Sequence, residues 1–363
     1  MSLFEQTQLG LITVKNRICM APMTRARCPD TVASDSVAKY YAQRAGAGLI
    51  ITEATQISGQ GTGSIATPGI YSAAHIEGWR KTTQAVHARG GKIFAQIWHT
   101  GRVSHPSFHS GAMPVSASAV RGNCHTFTAQ GYEATPQPRA LGESEVGDVV
   151  ADFRQAAINA IEAGFDGVQI HAANGYLIDQ FLRDGVNQRN DNYGGTIENR
   201  SRFLLEIVDV VSAAIDAGRT SVRLNPFTVS FDCADSDPRT LFLYVARQLG
   251  DRQLSFVDIV ERGLDPATAD VVAEVAEGFT PEDFRRAYQG HLMVNGLYDK
   301  ARAVEAAASG YAQMVSIGRP YMGTPDLAER WAQGQDLNAP LDMALWYGGD
   351  DTGYTDQVAI NAR

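Results

Sequence analysis

Short apolar runs rich in β-branched residues alternate with longer amphipathic stretches from one end of the chain to the other. Eight runs carry the signature of buried strands: residues 17–22, 49–54, 93–98, 167–171, 221–225, 256–261, 292–296 and 314–319. The stretches between them have helical periodicity. Val149, Phe153, Ala156, Ala157 and Ala160 share one helical face, behind an expected N-cap at Ser144. Phe203, Ile207, Val211 and Ala214 repeat the pattern, and residues 299–308 and 325–332 do so near the end. Strand–helix alternation repeated eight times predicts an α/β fold of the (β/α)8 TIM-barrel type, one domain over residues 1–363. A doubly wound open sheet is the alternative, disfavoured because no G-x-G-x-x-G follows the first run. Two segments are too long for simple connections. Residues 101–142, rich in Ser, Pro and Gly, contain short alternating pieces such as His125-Thr126-Phe127-Thr128 and predict an excursion capping one barrel mouth. Residues 175–199 are crowded with Asn, Asp, Arg and Gly. No internal repeat, low-complexity tract or linker divides the chain.

Composition narrows the class. A chain of 363 residues that is 44% hydrophobic can bury a large core. A formal net charge of -9 argues against a general nucleic-acid-binding surface. No apolar run approaches the roughly 20 residues that span a bilayer. The start, Met1-Ser2-Leu3-Phe4-Glu5-Gln6, has neither a basic nor an apolar signal region. Cys19, Cys28, Cys124 and Cys233 are scattered without a C-x-x-C pair, as expected for reduced thiols in a cytoplasmic protein. His99, His105, His109 and His125 lack the spacing of a zinc helix, so no metal is expected.

Chemistry is expected at the C-terminal strand ends, where such barrels place it. The run 167–171 ends at His171 and empties into a loop carrying Asn174 and Tyr176. His and Asn donate hydrogen bonds, and Tyr can give up a proton. Two donors and one acid suit a reaction that builds negative charge on a substrate oxygen and then protonates a neighbouring carbon. His171 alone reads as a core histidine; its two neighbours change that. Thr24 could satisfy a loop backbone, and Gln96, two residues before Trp98, could be a barrel-core residue. Arg223, between Val222 and Leu224, must meet an anion: Glu53, Glu261 or a bound ligand. Asn295-Gly296 and Gly318-Arg319 close the seventh and eighth runs, where this fold often binds phosphate, although Gly after a strand also marks an ordinary turn. The run 187–200, dense in charges and turn formers, reads as a scaffold for the His171 loop. His99-Thr100-Gly101-Arg102 reads as a fastening for the base of the cap.

Taken with those residues, the chain resembles the Old Yellow Enzyme family of FMN-dependent ene-reductases over nearly its whole length, and most the branch with N-ethylmaleimide reductases and the yeast and plant members. The marks are Met20-Ala21-Pro22-Met23-Thr24-Arg25, Thr52-Glu53-Ala54-Thr55-Gln56-Ile57-Ser58 and Gln96-Ile97-Trp98-His99-Thr100-Gly101-Arg102. Residues 171–176, the run 187–200 and Tyr347-Gly348-Gly349 complete them. The resemblance implies FMN over the C-terminal mouth, with Ala21, Pro22, Met23 and Thr24 beside it and Thr24 on the O4 edge. It implies Ala54 against the ring, Gln96 on the pyrimidine edge and Arg223 facing N1 and O2. Gly296, Gly318 and Arg319 are implied at the phosphate, and Asn295 and His171 are counted with the cofactor residues. His171 and Asn174 are implied to bind the activating carbonyl or nitro oxygen, Tyr176 to donate the proton, and Trp98 and Tyr347 to line the substrate side. The implied activity is reduction of an activated small-molecule alkene with NADPH or NADH by a monomer or homodimer. Many members carry a second His where Asn174 stands, a separate branch carries Cys where Thr24 stands, and residues 226–239 match less well. One rival is a phosphate-binding TIM-barrel lyase or isomerase with Glu53 or Glu261 as base, although no Lys ends a strand. A flavin-storage protein, which needs no proton donor, is the other.

Overall fold

A computed structural model describes residues 1–261, 272–274 and 278–359. The eight expected strands are present as β1 (Ile18–Met20), β2 (Leu49–Ile51), β3 (Ile93–Trp98), β4 (Gly167–His171), β5 (Thr220–Leu224), β6 (Phe256–Val260), β7 (Leu292–Asn295) and β8 (Met314–Ile317). Each pairs in parallel with the next, and β8 returns to β1, so the sheet closes into a barrel. Helices follow the strands, among them α1 (Asp35–Gln43), α2 (Ala73–His87), α3 (Glu143–Glu162), α4 (Leu177–Leu182) and α5 (Ile197–Ile215). The later ones are α6 (Pro238–Gly250), α7 (Pro281–Ala287), α8 (Lys300–Ala308), α9 (Arg319–Gly323) and α10 (Leu327–Gln333). The expected N-cap at Ser144 is corrected: α3 starts at Glu143 behind Gly142. Glu145 reaches back to accept the Gly142 N–H at 2.8 Å, which moves the helix start upstream.

Strand alternation sorts the core into two parts. Ile50, Ile97, Val168, Ile170, Val222, Val257, Val294 and Val315 face outward and join the helices in the larger apolar cluster. Leu49, Ile51, Phe94, Phe256, Met293 and Met314 form a second, inner cluster at the N-terminal end of the barrel. A hairpin of Thr7–Leu9 and Ile12–Val14 completes that inner cluster with Leu9, Ile12 and Val14. Its turn uses Gly10 at φ +53°, and Leu11 N–H donates to Gly218 O at 3.1 Å. Its strands, three residues each, are too short to show as a pattern in the sequence.

The other end is covered by long loops. In the 101–142 excursion the alternating piece becomes a hairpin of His125–Thr128 with Gly131–Ala134, and Val115–Ser116 pairs with Arg139–Ala140. Arg102 fastens its base, donating to Val120 O at 3.0 Å and to Phe231 O at 2.6 Å. The 187–200 run is a hydrogen-bonded scaffold: Asn187 donates to Phe181 O and Tyr193 O, and Arg189 to Ala117 O. The four cysteines are buried and free. Among the described residues no helix is long and apolar enough to cross a membrane.

Candidate active site

One inward position above the apolar layer, the barrel interior turns polar. Gln96, Gln169, Arg223, Asp258, Asn295 and Ser316 are all buried there. Register explains the order: Gln96 lies opposite Gln169, Arg223 opposite Asp258, and Asn295 opposite Ser316. Gln96 Nε2 donates to Gln169 Oε1 at 2.8 Å, and Gln169 Nε2 donates to Asp258 Oδ2 at 3.1 Å. Arg223 forms an ion pair with Asp258 and donates to Asn295 Oδ1 at 3.1 Å. Asn295 Nδ2 passes the row on to Ser316 O at 2.8 Å. The protein partner of Arg223 is therefore Asp258, not Glu53 or Glu261. Glu53 instead holds the Arg25 and Ala26 N–H groups, and Glu261 takes the Tyr298 and Tyr311 hydroxyls. Asp258 and Gln169 are masked in the sequence because each sits inside an apolar run; their inward parity is the signal that marks them.

His171, paired in register with Arg223, ends β4 just above this row. The chain then turns through two left-handed residues, Asn174 at φ +58° and Gly175 at φ +75°. Asn tolerates that conformation better than most residues, and Gly adopts it freely. A Cβ at Gly175 would lie 2.5 Å from Ser230 O. Asp179 accepts the Gly175 N–H at 2.9 Å while buried Arg183 holds the same carboxylate at 2.7 Å, so the turn is braced from α4. It brings the Tyr176 ring to 5.2 Å from the His171 ring and 4.7 Å from Trp98, edge-on to both. Phe231, from the loop that matched the family less well, lies 6.0 Å from Tyr176. Burial and the positive charge of Arg223 lower the His171 pKa to about 3, so its imidazole is neutral. Burial and the Tyr347 hydroxyl raise the Tyr176 pKa, so the phenol keeps its proton. His171 Nδ1 and Trp98 Nε1 are buried without a protein partner.

The remaining expected residues sit on the rim. Ala21 and Ala54 are buried, while Pro22, Met23, Thr24 and Asn174 are half-buried. Gly318 lies against Met23 and Ala21: a Cβ there would stand 3.6 Å from Met23 Sδ and 3.9 Å from Ala21 Cβ. Gly296 has φ +155°, open only to glycine. The Arg319 guanidinium is 5.4 Å from the Trp346 ring. Tyr347 is 59% exposed, on a segment lashed to the loop after β1. Arg25 donates to Trp346 O at 2.8 Å and to Leu345 O and Gly353 O at 3.1 Å, an anchor the sequence did not reveal. A cavity of about 670 Å³ lies elsewhere, against Phe227, Glu261, Tyr298 and Tyr311, and is lined by none of the residues expected at the cofactor or the alkene.

The model of the NADH:flavin oxidoreductase / NADH oxidase family matches residues 2–338. The chain belongs to that family. It is 39% identical over 371 residues to 12-oxophytodienoate reductase 7 of Oryza sativa subsp. japonica, covering 98% of this chain and 93% of that protein. The solved structure of the Old Yellow Enzyme homologue from Zymomonas mobilis has a TM-score of 0.94 at 41% identity, covering 99% of this chain and 100% of that one. Morphinone reductase in complex with tetrahydroNAD gives 0.91 at 42%, covering 99% and 97%. The chain is thus an FMN-dependent NAD(P)H oxidoreductase of the ene-reductase class. Its residues fit the cofactor. Gln96, Arg223 and the unpartnered His171 Nδ1 give a buried row of polar groups for an acceptor-rich ring edge. Gly296, Gly318 and Arg319 lie at the ends of β7 and β8, where this fold favours phosphate. The family match overturns the lyase or isomerase reading.

Proposed function

We propose that residues 1–363 act as one FMN-binding unit that reduces alkenes conjugated to a carbonyl, imide or nitro group. The reading is carried by a buried neutral histidine with a free ring nitrogen beside a protonated tyrosine, over a polar row that contains a buried arginine. Bound at this site, FMN would supply hydride-transfer chemistry between NADPH or NADH and the alkene.

His171 and Asn174 hold the activating oxygen and stabilise the negative charge it gains. A neutral imidazole suits this, because it donates one hydrogen bond without surrendering its proton. Tyr176 protonates the α-carbon from its hydroxyl, which burial keeps in the acid form. Trp98, Phe231 and Tyr347 flank the alkene and exclude water from that proton transfer. Gln96 and Arg223 orient the ring system from its pyrimidine edge, with Ala21, Pro22, Met23, Thr24 and Ala54 along its rim. Asn295, Gly296, Gly318 and Arg319 take the phosphate end. The test is an anaerobic visible spectrum of the purified protein. A flavin band that bleaches with NADPH and returns with a cyclic enone supports the reading; a protein that stays colourless with added FMN refutes it.

A further inference from the structure

Two side chains assigned to the pyrimidine edge, Gln96 and Arg223, end on one buried carboxylate. Arg223 pairs with Asp258 directly, and Gln96 reaches it through Gln169. Asp258 is fully buried, and its Oδ1 has no protein partner. Gln96, Gln169, Asn295 and Ser316 at the same height are uncharged, and Glu53 in that layer is turned to the Arg25 and Ala26 N–H groups. Cys19, near enough to feel both charges, is held as a neutral thiol by burial. The polar layer therefore offers a compensated ion pair rather than a bare guanidinium.

That difference has a redox consequence. Reduction of FMN by two electrons and one proton, delivered together as the hydride of NADPH, leaves one added negative charge on the ring system. A bare Arg223 would stabilise the charge strongly at short range in a low-dielectric interior. A carboxylate already bound to the same guanidinium opposes it. We infer that Asp258 is a positioning residue that aims Arg223 at the pyrimidine edge and, by compensating its charge, lowers the reduction potential of bound FMN. The protein thereby keeps its reduced cofactor a stronger hydride donor than Arg223 alone would allow. This rests on the assignment of Arg223 to the cofactor proposed above.

The test compares midpoint potentials, FMN dissociation constants and melting temperatures of the FMN-loaded wild type, Asp258→Asn, Asp258→Glu and Arg223→Gln. Asp258→Asn is expected to bind reduced FMN at least tenfold more tightly relative to oxidised FMN, an upward shift of about 30 mV or more for a two-electron couple. Asp258→Glu restores the charge and should return the potential toward the wild type. A purely structural ion pair would lower the melting temperature and leave the potential in place; that result overturns the inference. If Arg223→Gln leaves the potential unchanged, the assignment of Arg223 falls, and the role of Asp258 with it. If Arg223→Gln lowers the potential while Asp258→Asn does not raise it, only the role of Asp258 falls. Should Asp258→Asn fail to hold FMN, reduced-minus-oxidised infrared difference spectra of the wild type with ¹³C-labelled aspartate decide. A carboxylate band that shifts on reduction supports the inference, and its absence overturns it.

Discussion

Phe94 and Gln96 are successive inward positions of one strand, yet they belong to different worlds. Phe94 packs with Phe256, ring centroids 5.7 Å apart, in the apolar end of the barrel sealed by the N-terminal hairpin. It takes so much room that a Cβ at Gly167 would stand 2.4 Å from its ring. Gln96 begins a hydrogen-bonded row that runs to Ser316. The same step of two residues turns Phe256 into Asp258, Met293 into Asn295, Met314 into Ser316 and Ile51 into Glu53. One strand set thus carries a layer that supplies stability through burial, and above it a layer that spends some on buried polar groups in order to place charge.

Substitutions should separate the two layers by what they break. The largest effect is expected from Tyr176→Phe: alkene reduction falls about 10²–10⁴-fold, while flavin reduction by NADPH and the melting temperature hold. Stopped-flow measurement of each half-reaction checks this, and equal loss in both halves contradicts it. Phe94→Ala should instead cost about 3–5 kcal/mol of stability, read by denaturant unfolding, with the potential of bound FMN unmoved. His171→Ala should lower the rate with carbonyl-activated alkenes about a hundredfold or more, with FMN retained. A loss of FMN on that substitution would shift His171 from substrate to cofactor.

Two pH effects are smaller and sharper. Burial raises the Glu53 carboxyl from 4.5 to about 7. The folded state therefore binds the proton more tightly, and the stability from this group is whole below about 4.5 and lost as pH rises toward 7. The fall is on the order of 3 kcal/mol, and Glu53→Gln should flatten it in unfolding curves across that window. For His171, with a pKa lowered to about 3, the alkene half-reaction should show no step between pH 5 and 8. A step near pH 6.5, removed by His171→Asn, would show an imidazole that titrates as if exposed.

Fold and site were legible to different depths. All eight strands follow from apolar runs, and their observed bounds differ from the expected ones by a few residues at most, because a barrel strand buried on both faces has no polar register to hide it. Most of the proposed site residues stand in long ordered motifs, and His171, Asn174 and Tyr176 were singled out as three chemically matched residues at one strand end. Asp258 was not, since a lone aspartate inside Phe256–Val260 carries no sign of which partner neutralises it. Nor was Phe231, which lies beside Tyr176 in a loop whose carbonyl Arg102 holds from the base of the cap.

The sequence by itself determined the alternation of strands and helices, the excursion over the mouth and the residue types able to bind an oxygen and give a proton. These are local properties, written in periodicity and in neighbours along the chain. Tertiary structure decided which charges meet: Arg223 with Asp258 rather than Glu53 or Glu261, Arg25 with the Tyr347 segment, and Gln96 with Gln169. Pairing across a closed barrel depends on the register between strands, which no single strand records.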